Sequence, residues 1–335
     1  MTMQVQTSNH ELAQPPYYKP FSRLMKQWFG RPAYKITLDA GFTCPNIDGT
    51  KATGGCTFCD NVSFSPALRT GDSGIAAQLA KGQGFYRDKY GADLFLAYFQ
   101  TFTNTYAPLD KLKRLWDESL AQPAIVGLSV GTRPDCIDAQ KLQLLQTYAN
   151  GSAQVWQQRR QAGQALPRPY VCIEYGMQTM HDQTAERVNR AHTHAETIEA
   201  VRLTRQHAPD AHLCLHLIAG LPGETTEMIH QSIDECARLR PDSIKFHHCY
   251  VYENTVMAGQ YRAGEFTLHT LDQHVALAAD CIERMPESLC IERLVGELTD
   301  PGVIAPLWGK SKMQVYAAIS AELRRRGTHQ GSHAR

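Results

Sequence analysis

The chain has 335 residues, 43% hydrophobic and 20% charged, with a formal net charge of +1: long enough for one large domain or a core with appendages. The near-neutral balance gives no electrostatic case for nucleic acid or a membrane surface as partner, and the basic groups at either end (Lys19, Arg23, Lys26 and Arg31; Arg324, Arg325 and Arg326) read as solvated faces. No run approaches the ~18 consecutive apolar residues of a membrane helix, and the polar opening MTMQVQTSNHELAQPPYYKP lacks the apolar stretch of a signal peptide, so a cytoplasmic protein without membrane partners is expected.

Residues 1–20 read as a flexible arm carrying the Pro15-Pro16 punctuation. Apolar, strand-like runs then recur at Ala33–Leu38, Asp93–Phe99, Ala124–Val130, Tyr170–Tyr175, His212–Ala219 and Ser243–Val251. Helical patterns lie between them, among others Leu109–Leu120, Asp138–Tyr148, Ala195–His207 and Thr225–Leu239. Six strands separated by helices predict an α/β fold of parallel units with right-handed crossovers. Residues 150–169, rich in Gln, Gly and Pro, read as a surface insertion. After Val251 the pattern turns helical apart from Leu289–Val295, which reads as part of an appended module rather than a seventh unit. The expected division is 21–251 for the barrel, 252–326 for the module and 327–335 for a tail.

In such a layout functional residues belong at the C-terminal ends of the strands. Polar or Gly-rich segments stand at each of those ends: Cys44, Thr101–Tyr106, Gly131–Asp135, Gly176–Gln178, Gly220–Glu224 and Tyr252–Thr255. The first carries the sharpest signal. Cys44, Cys56 and Cys59 lie in GFTCPNIDGTKATGGCTFCDN, and three close thiolates in a chain without an export signal suit a metal or cluster rather than disulfides. Three sulfurs leave a coordination position open, which is where chemistry occurs. The residues alone admit Zn²⁺ with a fourth ligand such as Asp48 or Asp60, or an iron–sulfur cluster around which a loop rich in glycine can fold closely.

The trio, following a first strand, resembles the signature of radical S-adenosylmethionine (SAM) enzymes, whose common spacing is C-x3-C-x2-C. The longer first gap resembles the branch containing the elongator catalytic subunit and, within it, the YhcC/YtqA-like proteins. YFQTFTNTY, GTRPD, EYGMQT, NRAHTH, HLIAGLPGE, YVYENTVMAGQYRAGEF and GELTDPGVIAPLWGKSK follow in the order of that subfamily, from about Phe21 to Arg326. The resemblance implies a partial (β/α)6 TIM-like barrel with a short N-terminal arm and an appended C-terminal α+β module. It implies a [4Fe-4S] cluster held by Cys44, Cys56 and Cys59, with S-adenosyl-L-methionine on the fourth iron. An electron from a donor such as flavodoxin or ferredoxin cleaves SAM to a 5′-deoxyadenosyl radical that takes a hydrogen atom from the substrate.

The cofactor contacts it implies are Glu174 at the end of the fourth strand, Gln178 in the turn that follows, and Arg190, which could pair with a carboxylate bidentately. Thr101 and Asn104 stand where relatives have a different turn, and Gly220 and Gly223 belong to a segment passing close to adenine. For each a plainer role exists: a helix cap, an ordinary β/α turn, a surface ion pair. The other cysteines read as buried and inert, Cys136 being the one to test. Histidines 192, 194, 247 and 248 read as cavity lining or surface, and Tyr250, Tyr252 and Tyr261 as packing between barrel and module or a platform for a planar substrate. Relatives that modify tRNA wobble uridines make tRNA the implied substrate. A small or tetrapyrrole-like molecule under the same chemistry, and a zinc-stabilised binding module, are the alternatives.

Overall fold

The computed structural model describes residues 17–61, 71, 74–298 and 300–334. Strands with apolar side chains on both faces need cover on both, and a parallel sheet flanked by helices supplies it. The strands β1 (Tyr34–Leu38), β2 (Phe95–Phe99), β3 (Ile125–Thr132), β4 (Tyr170–Gln178), β5 (His212–Ala219) and β6 (Ser243–His248) lie side by side in chain order, every neighbouring pair parallel. All five residues of β2 are buried. Gly127 on β3 permits the close passage of β4, because a Cβ there would stand 1.9 Å from the carbonyl oxygen of Tyr170.

A short antiparallel pair, β7 (Val251–Tyr252) with β9 (Val303–Ala305), lies outside the main sheet. The seventh strand of that sheet is β8 (Cys290–Arg293), parallel to β6. Leu289–Val295, expected in an appended module, therefore supplies a barrel strand. The sheet curls into a half-barrel whose edges are β1 and β8.

The helix α1 (Phe21–Phe29) plugs the N-terminal end of the barrel. Its Leu24 and Met25 pack with Leu96, Val126, Tyr170, Cys172, Cys214 and Cys290, and the ring of Trp28 meets that of Tyr170 edge-on at 5.3 Å. Each large side chain buried there contributes ~1.5–3 kcal/mol relative to exposure. The strand cysteines are thus packing residues, as their apolar settings suggest, and burial pushes the thiols of Cys172 and Cys214 well up.

Of the expected arm, residues 1–16 lie outside the described residues. Tyr17 to Pro20 are tied in rather than loose: the Ile291 amide donates to the Lys19 carbonyl (2.9 Å) and the Gln330 amide to that of Tyr17 (2.7 Å). The expected tail is also packed, with Gln330 buried and its amide donating to the carbonyls of Pro286 and Leu289. The 150–169 insertion likewise reaches inward through a helix at Gln154–Gln161. Trp156 is buried there, and buried Arg159 donates to the carbonyls of Leu120 and Ile125, both at 2.7 Å. No helix among the described residues is long and apolar enough to cross a membrane.

Candidate active site

The loop after β1 is built by its own backbone. The Ile47 amide bonds to the Cys44 carbonyl (2.8 Å), the Gly55 amide to that of Asn46 (2.8 Å), and the Cys59 amide to that of Cys56 (3.0 Å). Gly54 and Gly55 take left-handed φ values of 81° and 75°, a conformation that costs glycine little. The loop is latched to the segment between β4 and the helix His194–His207. Asn189 donates to the carbonyls of Thr53 (2.9 Å) and Gly55 (2.7 Å), and Asn46 Nδ2 donates to the carbonyl of Asn189 at 2.5 Å. The Met257 amide adds a fourth hydrogen bond, to the Thr57 carbonyl (2.9 Å).

These latches place Cys44, Cys56 and Cys59 together on one wall of a cavity of about 200 Å³ at the C-terminal ends of the strands. Cys44 and Cys56 are buried and Cys59 half-buried. Burial pushes the Cys59 thiol up to about 12, with the neighbouring Cys56 and Cys44 adding to the rise. Two donors address the sulfur of Cys56: Asn46 Nδ2 at 3.4 Å and an Nη of Arg190 at 3.5 Å. Among the described residues no group of three His, Cys, Asp or Glu side chains is arranged to hold a single metal ion.

Arg190 is held from both sides. Its second Nη donates to the Gly176 carbonyl (2.8 Å), and its own carbonyl accepts from Arg133 at 2.7 Å. Arg133, in GTRPD, also donates to the carbonyl of Ala191 (2.8 Å) and forks onto Asp135 through Nε and Nη2, each at 2.9 Å. Burial would raise the Asp135 carboxyl, but the Arg133 guanidinium prevails and holds it near 2. Lys51 of the cysteine loop completes the network, bonding Asp135 and Glu196, both at 2.7 Å.

The cavity wall also includes the expected Glu174, Gln178 and Arg190. Glu174 lies in the middle of β4 rather than at its end, because the strand runs on to Gln178. It is fully buried, with Lys35 at 2.7 Å, the Tyr98 hydroxyl at 2.7 Å, His216 Nε2 at 3.0 Å and Lys245 as partners. Burial alone would raise its carboxyl; the ammonium groups of Lys245 and Lys35 overcome that and hold it well below the usual range. Gln178 has a left-handed φ of 66° and a buried Oε1 without a partner.

Thr101, Asn104, Gly220 and Gly223 stand behind the wall rather than on it. Asn104 joins the turn after β2 to the end of β3 by donating to the carbonyls of Thr101 and Gly131, both at 2.8 Å. Gly220 (φ +83°) leaves room for the His269 ring, and Gly223 (φ +87°) for the Arg187 guanidinium, which a Cβ would meet at 1.5 Å. Cys136 is buried, its thiol pushed by burial to about 12. Histidines 247 and 248 line the cavity, whereas His192 is buried beside Arg133 and Arg190, and His194 pairs with Glu235 at 2.7 Å. Tyr250 lines the cavity, Tyr252 is buried, and Tyr261 packs beside Phe266.

Sequence reasoning overlooked the cavity floor, lined by Tyr98, His216 and Arg293, and the ion cluster of Lys35, Lys245 and Glu292 that joins it through Glu174. The available signal was a charge inside an apolar strand run, as in AYKITL and SIKFHH, which a barrel interior can pair and a helix-covered face cannot.

Comparison with known proteins agrees with this geometry. The profile of the Radical SAM superfamily matches residues 47–236, and that of the Radical_SAM C-terminal domain matches 241–325. YtqA of Bacillus subtilis is 32% identical over 314 residues, covering 94% of this chain and 92% of that protein. A tRNA uridine(34) acetyltransferase of Dehalococcoides mccartyi is 24% identical over 181 residues, 53% of this chain and 35% of the other. Among solved structures, the archaeal Elp3 of Methanocaldococcus infernus superposes with a TM-score of 0.63 at 16% identity, over 89% of this chain and 64% of that one, a likeness of fold. The chain is an enzyme of the radical SAM superfamily, in its YhcC/YtqA-like branch, and its cofactors are a [4Fe-4S] cluster and S-adenosyl-L-methionine.

Proposed function

We propose that Cys44, Cys56 and Cys59 hold the cluster at the cavity mouth, that SAM lies beside it within the barrel, and that the substrate is a tRNA bearing a wobble uridine. The observation that carries the assignment is the gathering of three thiols on one wall, with N–H donors from Arg190 and Asn46 aimed at the sulfur of Cys56. Thiolates bound to iron attract such donors, which tune a cluster's potential. When bound, the two cofactors supply one-electron cleavage of a sulfonium bond, and with it a carbon radical able to take a hydrogen atom.

The chain's own residues do the rest. Gln178 offers SAM an amide oxygen that has no other partner. Arg190, engaged with Cys56 and Gly176, serves the cluster side of the site. Glu174, saturated by its four partners, orders the floor. Thr101, Asn104, Gly220 and Gly223 shape the turns that carry the wall. A cavity recessed among the strand ends limits the water around a reactive radical. A one-electron donor of the flavodoxin or ferredoxin kind is the expected partner.

Kinship over about half the chain with a tRNA uridine(34) acetyltransferase supports the tRNA reading. The formal charge of +1 favours the second reading, a small molecule under the same chemistry, since tRNA binders commonly carry a basic surface. Nucleoside mass spectrometry of tRNA from a deletion strain decides between them. A wobble-uridine derivative that disappears, or a precursor that accumulates, is the expected result; an unchanged profile refutes the tRNA reading.

A further inference from the structure

The cavity floor does not balance its charge. Lys35 sits between two carboxylates, 2.7 Å from Glu174 and 2.7 Å from Glu292. Lys245 pairs with Glu174 and lies 3.9 Å from Glu292. The hydroxyls of Tyr98 and Ser243 each donate to one of those carboxylates, at 2.7 Å. Both carboxylates are thereby occupied, and a third cation, Arg293, is left over.

A register shift between β6 and β8 produces this arrangement. Ile244 stands opposite Ile291 but Lys245 opposite Arg293, so Glu292 is the extra residue of a bulge. Bulges re-aim side chains, and here two successive residues reach the barrel interior: Glu292 into the ion cluster and Arg293 onto the cavity wall. Among the described residues no carboxylate lies within ion-pair distance of the Arg293 guanidinium, and no acceptor within hydrogen-bond distance. The hydroxyls of Tyr98, Tyr250 and Tyr316 and the Glu174 carboxylate act on it only through space, and that carboxylate is already bonded to Lys35 and Lys245. Burial, with Arg293 adding to it, holds His247 neutral down to about 3, and burial with Lys245 beside it holds His216 neutral down to about 4. His247 Nδ1 donates to the His248 carbonyl at 3.0 Å, which leaves Nε2 as a bare acceptor. Arginine cannot shed its proton to escape burial, so a largely enclosed guanidinium without an anion awaits one.

We propose that Arg293 is a substrate-binding residue which takes an anionic oxygen group, a carboxylate or a phosphate, from the substrate, with His247 Nε2 accepting from an adjacent hydroxyl or N–H. The planar fork of arginine matches either group bidentately. The inference rests on the reading of this cavity as the substrate chamber, and not on the substrate being tRNA.

The test uses unreduced holoenzyme loaded with SAM, titrated calorimetrically with propionate and with inorganic phosphate. At least one anion binds the wild type in the millimolar range, and R293Q weakens it ~10-fold or more, as loss of a charge-assisted pair requires. Propionate alone marks a carboxylate source and phosphate alone a phosphate source. Equal affinity in R293Q, or binding of neither anion by the SAM-loaded wild type, overturns the proposal. A second measurement needs no variant: the bound anion slows modification of Arg293 by phenylglyoxal, read by peptide mass spectrometry on the wild type, by roughly fivefold at saturation, and an unchanged rate overturns it. Dithionite-driven SAM cleavage by the wild type tests the radical reading by itself, so its failure beside intact anion binding counts against that reading and leaves Arg293 standing.

Discussion

Arg190 donates one Nη to the sulfur of Cys56 at 3.5 Å and the other to the carbonyl of Gly176 at 2.8 Å, so a single guanidinium joins the cysteine loop to β4. A cation and an N–H at a cluster sulfur favour the reduced, more negative state. Replacing Arg190 by Met is therefore expected to lower the midpoint potential on the order of 100 mV, the equivalent of one charge-assisted hydrogen bond in a one-electron couple. A redox titration followed by electron paramagnetic resonance reads it, and an unshifted potential would mean that the contact with Cys56 has no electrostatic role.

Arg133 acts one step further back. It fixes the carbonyls of Arg190 and Ala191 while forked onto Asp135. Lysine cannot reproduce that fork. Arg133→Lys should leave the fold in place but reduce the iron retained after anaerobic reconstitution, by roughly half or more given the usual effect of outer-shell partners on metal affinity. Iron analysis beside circular dichroism checks this; full iron loading would contradict it.

The buried ion cluster answers to a different substitution. Glu174→Gln keeps the shape but leaves Lys35 and Lys245 short of a counter-charge, and breaking one partner of a buried pair costs about 3–5 kcal/mol. Urea unfolding of the variant should show a correspondingly lower midpoint. A midpoint equal to wild type would indicate that the lysines shed their charge instead.

The buried histidines set a pH window. Burial is the leading cause that lowers His216, His247 and His274 to about 4, 3 and 4, from an ordinary value of 6.5. Between those values and 6.5 the unfolded chain binds more protons than the folded one, so stability is complete above the ordinary value and is lost as pH falls below it. Each group contributes up to ~1.4 kcal/mol per pH unit in that window. The depressed carboxyls of Glu174 and Asp135 act only below the ordinary carboxylate range. Unfolding free energies measured from about pH 7 to pH 5 should fall steadily; a flat profile would show that these rings take up protons without cost.

Six barrel strands were legible because their apolar runs are bounded by glycine and polar turns. His212–Ala219 falls on the same residues in sequence and structure, and Leu109–Leu120 does so for a helix. Leu289–Val295 stood out as an apolar segment but reads as part of an appended module rather than as a barrel strand, because only four residues carry β8 and two of them, Glu292 and Arg293, are charged. The bulge that turns both inward is a tertiary event. The cysteine trio was plain from spacing. The floor beneath it was not, because Lys35, Glu174, Lys245 and Glu292 come from four strands separated by most of the chain. Arg159 illustrates the same limit: a Gln-rich polar run looked superficial, yet its guanidinium satisfies two buried carbonyls.

The central claim is that Cys44, Cys56 and Cys59 carry the reactive cluster. Its most direct test is formation of 5′-deoxyadenosine from SAM under dithionite by the anaerobically reconstituted protein, beside the C44A/C56A/C59A variant. The wild type should produce it and the variant should not. Production by the variant, or none by an iron-loaded wild type, would contradict the assignment.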